Sequence, residues 1–403
     1  MRHPTRVALG FVVVVACSAP ASVLAEPYLA IRYGYKCSQC HINPTGGGQR
    51  NLFGTIFSQT EMPNRVLSSR AVNRFLGLAN TWREDSEESS SDNGPVESTF
   101  YSGYLTRFLS VGGDVRFRHQ TVFRNSNDTQ SNAFNTTANL YGTVELLDGA
   151  VSVYADERVA PGNVSSREFF GLLRGPWNSY FKAGRIMLPF GLRMQDDSAF
   201  IRELSGFNFG VQDVGLEVGL EPGPLSLSAA VSNGSQSTSD DNNDKQVTAM
   251  ASFIQRFWRI GAQTTWNNTP TAKRAAVGGF GGLNLGFIPW AQQYFEKASL
   301  LGEIDYLRDE LRTLPGDPEV GQLLLYGALN YELLRGVNLR VAYDFADPDT
   351  STSEDSFVRV STGVEYTVTQ FLQLRSFYRF RDDTETSLRD DESVLEFEVH
   401  LFF

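Results

Sequence analysis

The sequence predicts an all-β protein, a transmembrane antiparallel β-barrel of about 16–18 strands. Two observations predict this fold class. Apolar and polar residues alternate with a period of two along several segments, and the connections between those segments are tight at some positions and long at others. A barrel in an outer membrane is apolar outside and polar inside, with short turns at one end and long loops at the other.

The C-terminal segment gives the clearest strand, because its apolar and polar residues point in opposite directions. The apolar set is Leu395, Phe397, Val399, Leu401 and Phe403, and the polar set is Glu396, Glu398 and His400. The segments 337–345 and 358–366 show the same alternation. Charges on the inward face indicate a polar lumen. The aromatic last residue, Phe403, resembles the C-terminal signal of bacterial outer-membrane proteins.

The connections give the strand count. The long polar segments are 83–98, 125–135, 188–212, 233–244, 309–320, 347–355 and 382–391. The tight turns are Asp148-Gly149, Gly175-Pro176, Glu221-Pro222-Gly223 and Leu334-Arg335. We count about eighteen strands between residues 71 and 403, with sixteen as the alternative, and an even number places both ends of the barrel in the periplasm. A soluble β-sandwich would share the period of two, but the loop asymmetry and Phe403 favour the membrane.

An export signal precedes the barrel. Residues 1–25 contain Arg2 and Arg6, an apolar run from residue 7 to residue 16, and small residues that end at Ala25, as a cleaved secretory signal does. A lipoprotein signal that retains Cys17 is the alternative. No later segment approaches the roughly 20 apolar residues of a spanning helix. We therefore divide the chain into a signal peptide (1–25), an N-terminal segment (26–70) and the barrel (71–403).

Composition narrows the function. The chain has 403 residues, a formal charge of −11, 41% hydrophobic and 12% aromatic residues. This balance suits a barrel with an apolar outer band between aromatic girdles. The acidic charge argues against nucleic acid as a partner, because duplex binding depends on Lys and Arg contacts to phosphates.

The N-terminal segment contains Cys37-Ser38-Gln39-Cys40-His41, the pattern that attaches a haem covalently. Two such thiols can add to the two vinyl groups of one porphyrin, and His41 is then placed to coordinate the iron. We therefore predict one haem c. A zinc site would lack ligands, and no βαβ pattern supports a redox dithiol. A structural disulfide between Cys37 and Cys40 is the remaining alternative.

About 45 residues are too few to bury a large cofactor unaided. We therefore expect the segment to insert into the barrel mouth and to use lumen side chains as its missing wall. The glycines at 46–48 permit positive φ angles and a close approach of the backbone to a flat ligand. For the sixth iron ligand the candidates are Met62, His119 or an open position, and a Met ligand would raise the reduction potential.

The N-terminal residues resemble a family, the fused monohaem cytochrome–porins of the outer membrane of iron-oxidising bacteria. The similar residues are Pro27, Ala30, Arg32, Gly34, Cys37, Cys40, His41, Pro44 and Phe53-Gly54-Thr55-Ile56-Phe57. The resemblance implies a haem held at a porin-like barrel, oxidation of extracellular Fe²⁺ and inward electron transfer. It covers about 35 residues, and the barrel resembles that family only in architecture.

A second resemblance lies between Lys182 and Arg202, which look like the segment after a strand in anion- and phosphate-selective porins. There the following long loop can fold inward as a constriction. Arg185, Arg193 and Arg202 would then steer anions or pair with haem propionates. The alternative, which we favour, is local ion pairing with three nearby acidic residues, Asp196, Asp197 and Glu203.

These observations favour an electron conduit of the bacterial outer membrane, an electron-transfer cytochrome rather than a conventional enzyme. It would pass electrons between an extracellular donor, for which Fe²⁺ is the candidate, and a soluble periplasmic carrier such as a cytochrome. The alternative is a solute or anion-selective porin with an accessory haem segment. Acidic loop residues such as 84–88 could collect divalent cations, although solvated loop tips are the simpler interpretation. A homo-oligomer is compatible with either function.

Overall fold

The computed structural model describes residues 26–67, 101–124, 129–194, 196–237, 240, 242–290, 292–383 and 392–403. The predicted signal peptide, the lipoprotein alternative at Cys17 and the acidic cluster at 84–88 lie outside these residues. Across the described ranges, no helix is long and apolar enough to cross a membrane.

Sixteen antiparallel strands form one closed barrel, in which each strand pairs with its neighbours in sequence and β1 pairs with β16. The strands are β1 (Leu109–Arg124), β2 (Thr129–Leu146), β3 (Val151–Ala160), β4 (Ser165–Arg174), β5 (Ser179–Ile186), β6 (Asp213–Leu220), β7 (Leu225–Ser232), β8 (Gln246–Ile254), β9 (Trp258–Asn268), β10 (Ala272–Asn284), β11 (Ala298–Leu311), β12 (Glu319–Leu334), β13 (Val337–Asp347), β14 (Phe357–Thr369), β15 (Leu372–Asp383) and β16 (Glu392–Phe402).

The count of eighteen strands is therefore wrong, and the alternative of sixteen is confirmed. The barrel has no free edge for a further strand, because β2 occupies one edge of β1 and β16 occupies the other. Residues 101–108, which precede β1, are described, and Tyr101 packs its ring against Phe403 with 5.8 Å between ring centroids.

The outer face of the barrel is apolar and the inner face is polar, as the alternation predicts. On β16, Phe397 and Leu401 are 50% and 49% exposed, whereas Glu398 and His400 are 3% and 0% exposed. Exposed apolar side chains pointing outward are what a lipid environment requires, and inward charges surround a polar interior.

The two ends of the barrel differ. We call the end with the turns 175–178, 221–224, 255–257, 335–336 and 370–371 the short-turn end, and the opposite end the long-loop end. Two connections differ from the prediction. Residues 285–297 form a longer connection at the short-turn end, with a one-turn helix at Gln292–Phe295, and β2 already begins at Thr129. The polar stretch after Thr129 joins the sheet because backbone pairing with β1 does not depend on apolar side chains.

The connection between β5 and β6, residues 187–212, folds into the lumen, and we call it the inward loop. It contains a one-turn helix, Phe200–Glu203, whose Ile201 is fully buried. The backbone N–H of Phe200 donates to Asp344 Oδ1 on β13 at 3.1 Å, and Arg202 pairs with Glu303 on β11. These contacts fix the inward loop to the opposite barrel wall.

Three short helices form the described part of the N-terminal segment: α1 (Pro27–Tyr33), α2 (Cys37–Cys40) and α3 (Leu52–Thr60). The segment lies in the mouth of the short-turn end. Lys36 Nζ donates to the carbonyl of Glu221 at 2.9 Å, and Arg335 Nε donates to the carbonyl of Pro63 at 3.1 Å. The backbone N–H of Asn64 donates to the carbonyl of Thr367 at 2.8 Å. The segment is thus held by turns on opposite sides of the barrel.

Candidate functional site

Helix α2 presents both cysteines and His41 within little more than one turn. The backbone N–H of His41 donates to the carbonyl of Cys37 at 2.9 Å, and the side chain of Gln39 accepts from the N–H of Lys36 at 2.8 Å. Because positions i and i+3 of a helix share a face, Cys37 and Cys40 face the same side. Both are free thiols.

Asn51 joins α2 to α3. Its Oδ1 accepts from the N–H of Gly54 at 2.9 Å and so caps α3, a contact typically worth about 1 kcal/mol. Its Nδ2 donates to the carbonyls of Ser38 and Gln39 at 3.1 and 3.0 Å. An antiparallel bridge between His41 and Arg50 closes the intervening loop. The motif is therefore held rigidly by its own segment.

His41 is half-buried, and its Nδ1 is fully buried without a hydrogen-bond partner among the described residues. Burial, with the nearby Arg50 as a second cause, lowers the pKa of His41 to about 4. The imidazole is therefore neutral at neutral pH, which is the form that coordinates a metal.

The glycines at 46–48 all have positive φ, at 90°, 83° and 62°, which the sequence permits. The atoms that approach these glycines most closely belong to other residues of the protein. A Cβ at Gly46 would lie 3.2 Å from Cys37 Sγ, one at Gly47 would lie 2.6 Å from the ring of Phe209, and one at Gly48 would lie 2.0 Å from Tyr154 Oη. The triplet therefore lets the loop after His41 pass between α2, the inward loop and β3.

A buried polar network fixes this loop to the barrel wall. Asn43 Nδ2 donates to both carboxylate oxygens of Glu168 at 3.0 and 2.9 Å. Lys182 Nζ donates to Asn43 Oδ1 at 3.0 Å and to Thr45 Oγ1 at 3.1 Å, and it pairs with Glu217 at 2.9 Å. Since hydrogen bonds to charged groups are the stronger ones, this network sets the position of residues 43–45 against β4, β5 and β6.

One cavity of about 1110 Å³, its open mouth included, is lined by Cys37, Cys40, His41 and Met62 together. Three parts of the chain enclose it. The N-terminal segment contributes the four residues above, the inward loop contributes residues 191–193, and the barrel wall contributes residues of β7 to β10. Apolar side chains that line it are Leu29, Ala30, Phe57, Leu192, Met250, Ile254 and Phe280. Lumen and loop side chains thus complete the wall that the segment lacks.

These residues fit the predicted haem. Two free thiols, a neutral histidine and a methionine converge on a largely apolar space, which is the donor set of a c-type haem site. A redox dithiol fits less well. Burial raises the pKa of the Cys40 thiol to about 11, with Cys37 as a further cause, whereas reactive cysteines have a lowered pKa. No group of three or more His, Cys, Asp or Glu side chains could hold a metal ion in the described ranges.

His119 does not take part in this site. It lies on β1 in the same outward-facing series as Val115 and Phe117, and its Nε2 is 2.6 Å from Asn132 Oδ1 on β2. Its ring packs against Phe134, which is 67% exposed on the outer surface. The prediction of His119 as an alternative iron ligand is therefore wrong, because its side chain points away from the lumen.

The arginines after β5 have separate positions. Arg193 lines the cavity, Arg185 Nε donates to the carbonyl of Arg167 at 3.2 Å, and Arg202 pairs with Glu303. Asp196 pairs with Arg359 at 3.2 Å. For Arg202 and Asp196, the expected local ion pairing is thus replaced by pairs between the loop and the barrel wall, because the loop folds across the lumen.

Sequence reasoning missed several residues of the site. Arg50 and Arg259 line the cavity, and Asn43 and Lys182 fix its edge. Arg259 lies more than 200 positions from the cysteine motif and carries no local signal. Asn43 could have been suspected, because it lies two residues after the motif and immediately precedes Pro44.

The cavity lies closer to the short-turn end than to the long-loop end. Phe280 lines it from β10, eight residues after Ala272, where β10 begins at the long-loop end. At about 3.3 Å per residue, this places Phe280 roughly 26 Å along the strand from that end. A molecule outside the long-loop end would have to pass the inward loop to reach the cavity.

No protein-family model matches the chain, and no curated protein matches it. Solved structures match the fold at low identity. The anion-selective porin from Comamonas acidovorans has a TM-score of 0.56 and 10% identity over 73% of this chain and 99% of that chain. The outer membrane channel DcaP of Acinetobacter baumannii has a TM-score of 0.55 and 12% identity over 75% and 99%. The trimer form of OmpT, an outer membrane protein of Vibrio cholerae, has a TM-score of 0.53 and 11% identity over 73% and 100%. This chain has a porin-like β-barrel fold.

Proposed function

We propose that this protein is an electron conduit of the bacterial outer membrane, with one haem c attached to Cys37 and Cys40 and coordinated by His41. The observation that carries the proposal is the convergence of these three residues and Met62 on one cavity inside a porin-like barrel. The haem, when bound, supplies one-electron transfer, and the protein sets its potential through axial ligand and burial.

The chain's own residues have defined tasks in this proposal. Cys37 and Cys40 hold the group at the end of α2, and neutral His41 offers a ring nitrogen to the iron. The network of Asn43, Lys182 and Glu217 keeps the loop after His41 from moving relative to the barrel. The inward loop covers the cavity on the side of the long loops.

The depth of the cavity favours a small extracellular donor. A protein donor outside the long-loop end would be separated from the cavity by roughly 26 Å of strand. A hydrated cation such as Fe²⁺ could enter the lumen. The resemblance to iron-oxidiser cytochrome–porins supports the same donor.

The other side of the site supports a periplasmic carrier. With the short-turn end in the periplasm, α3 presents Leu52, Phe53 and Ile56 to solvent, and these are 47%, 45% and 41% exposed. Phe57 and Met62, which follow on the same segment, line the cavity. An apolar surface this close to the haem site suits transient docking of a soluble cytochrome.

The proposal is tested by a redox titration of the purified protein, followed by visible spectroscopy. We expect a covalent c-type spectrum that Fe²⁺ converts from the oxidised to the reduced form. Covalent haem that Fe²⁺ leaves oxidised would reject Fe²⁺ as the donor. Protein without covalent haem would reject the conduit altogether.

Met62 is our proposed sixth ligand, because it is half-buried and lines the same cavity as His41. Replacing it with alanine should change the visible spectrum and lower the reduction potential, since a thioether ligand raises the potential. Leu29→Ala, which removes an apolar lining residue without a donor atom, is the matched control. An unchanged spectrum in Met62→Ala would show that Met62 only packs against the cavity.

A solute or anion-selective porin is the second candidate. It is favoured by the fold, which is shared with the anion-selective porin from Comamonas acidovorans, and by the inward loop. Such a protein would conduct ions in a planar bilayer irrespective of haem, whereas a plugged conduit would conduct little. One structural neighbour is described as a trimer, which supports a homo-oligomer in either case.

A further inference from the structure

Three arginines line the cavity: Arg50, Arg193 and Arg259. No carboxylate oxygen of the described residues lies within ion-pair distance of their guanidinium groups. Other buried arginines of the lumen have a carboxylate partner. Arg359 lies 3.0 Å from Asp344, and Arg375 lies 3.0 Å from Glu398. The cavity therefore holds more positive than negative charge, because Glu26, which also lines it, pairs with Arg375 at 3.2 Å.

Arg259 shows this most clearly. It lies at the start of β9, is 7% exposed, and donates one Nη2 hydrogen bond of 2.7 Å to the carbonyl of Tyr35. Its Nε is fully buried and makes no hydrogen bond in the described part of the chain. Because its backbone lies in the barrel wall and its guanidinium contacts Tyr35, the side chain extends across the mouth of the cavity.

The other two arginines approach from different elements. Arg193 is also 7% exposed and donates to the carbonyls of Leu188 and Phe207, so it holds the inward loop as well as lining the cavity. Arg50 is half-buried, and its guanidinium lies 5.0 Å from the ring centroid of Phe402. The three charges thus come from the N-terminal segment, the inward loop and the barrel wall.

A buried charge without a counter-charge is destabilising, so such groups are normally paired. We infer that Arg50, Arg193 and Arg259 form a carboxylate-binding set that holds the two propionates of the haem. This inference rests on the proposed function. It extends that function from the thiols and the iron ligands to the residues that bind the haem propionates. Arginine suits this task because its guanidinium can donate two parallel hydrogen bonds to one carboxylate.

The arrangement has a consequence for the reduction potential. Positive charge near the iron disfavours the oxidised form, which carries one more positive charge than the reduced form. Removing one arginine should therefore lower the potential, both through the lost charge and through a propionate left without its partner. The covalent links to Cys37 and Cys40 should remain, because the arginines are not needed for thioether attachment.

The test compares the haem midpoint potentials of Arg259→Gln and Arg50→Gln with that of the unaltered protein. Each change should shift the one-electron equilibrium about tenfold toward the oxidised form, which corresponds to about 59 mV. Arg259→Lys keeps the charge, so its midpoint potential should return most of the way to that of the unaltered protein. Arg308→Gln is the matched control, because Arg308 is exposed and pairs with Glu319 on the neighbouring strand near the long-loop end. Arg193 is not chosen, since its loss would also release the inward loop.

Attached haem whose potential is unchanged in both glutamine variants would overturn this inference and leave the proposed function standing. Absence of covalent haem in the unaltered protein would instead overturn the proposed function itself. A free anion is the other source of the same chemistry. If Arg259→Gln shifted the reversal potential in a KCl gradient across a bilayer but left the haem potential unchanged, the three arginines would serve anion passage, and the inference would be rejected.

Discussion

Replacing both Cys37 and Cys40 with alanine should abolish covalent haem while leaving the barrel folded. The two thiols lie on α2 and supply the only attachment that the motif offers. The closed ladder of sixteen strands does not include them, so strand pairing should survive the change. The measurement is haem retention after denaturation in the presence of reductant, together with the heat-dependent gel mobility of the barrel.

Ser38→Ala is the control for this double substitution, since Ser38 lies between the cysteines and hydrogen-bonds to Glu221 without a thiol. It should retain the haem. Each single cysteine variant should keep at most one thioether and show an altered spectrum. Haem that stays bound to the denatured double variant would contradict the assignment of the thiols. If the unaltered protein itself lacked haem, Cys37 and Cys40 would have to be explained as a disulfide or as two structural thiols.

The parts of the fold that sequence predicts well are those encoded by local alternation. Phe397 and Val399 point to the outer face and Glu398 to the inner face, because successive residues of a strand alternate whatever the strand pairs with. The glycines at 46–48 likewise permit, by residue type alone, the positive φ angles that they adopt. The cysteine motif is local too, since its chemistry depends on spacing within a single helical turn.

Contacts between distant elements could not be derived in this way. The period of two indicates that Arg259 can face the lumen, but it does not indicate which cavity in the lumen it reaches. His119 fails for a related reason: a histidine on a strand is equally able to face outward, and its neighbours Val115 and Phe117 are apolar. The strand count was wrong because closure depends on β1 meeting β16, whose paired residues lie roughly 270–290 positions apart along the chain.

Gly54→Ala should loosen the N-terminal segment, although alanine is normally the better helix former. Gly54 lies in α3, and a Cβ there would be 2.0 Å from the carbonyl oxygen of Cys40 and 2.8 Å from its carbonyl carbon. These are backbone atoms and cannot rotate away, so α3 must move from α2. We expect a loss of about 1–3 kcal/mol in the local stability of the segment.

Hydrogen exchange of the segment, followed by mass spectrometry on the folded protein, measures this loss. The amides to follow are those of His41 and Asn51, which donate to the carbonyls of Cys37 and Cys40. A loss of about 1–3 kcal/mol corresponds to exchange roughly 5–150 times faster. Gly142→Ala makes the same substitution where no atom lies within 4 Å of the new Cβ, and it should leave these amides unchanged. Slower exchange in Gly54→Ala would mean that helix propensity, worth about 1 kcal/mol, outweighs the packing of α3 on α2. Because this comparison does not require bound haem, it tests how the segment is held in the barrel separately from what the segment carries.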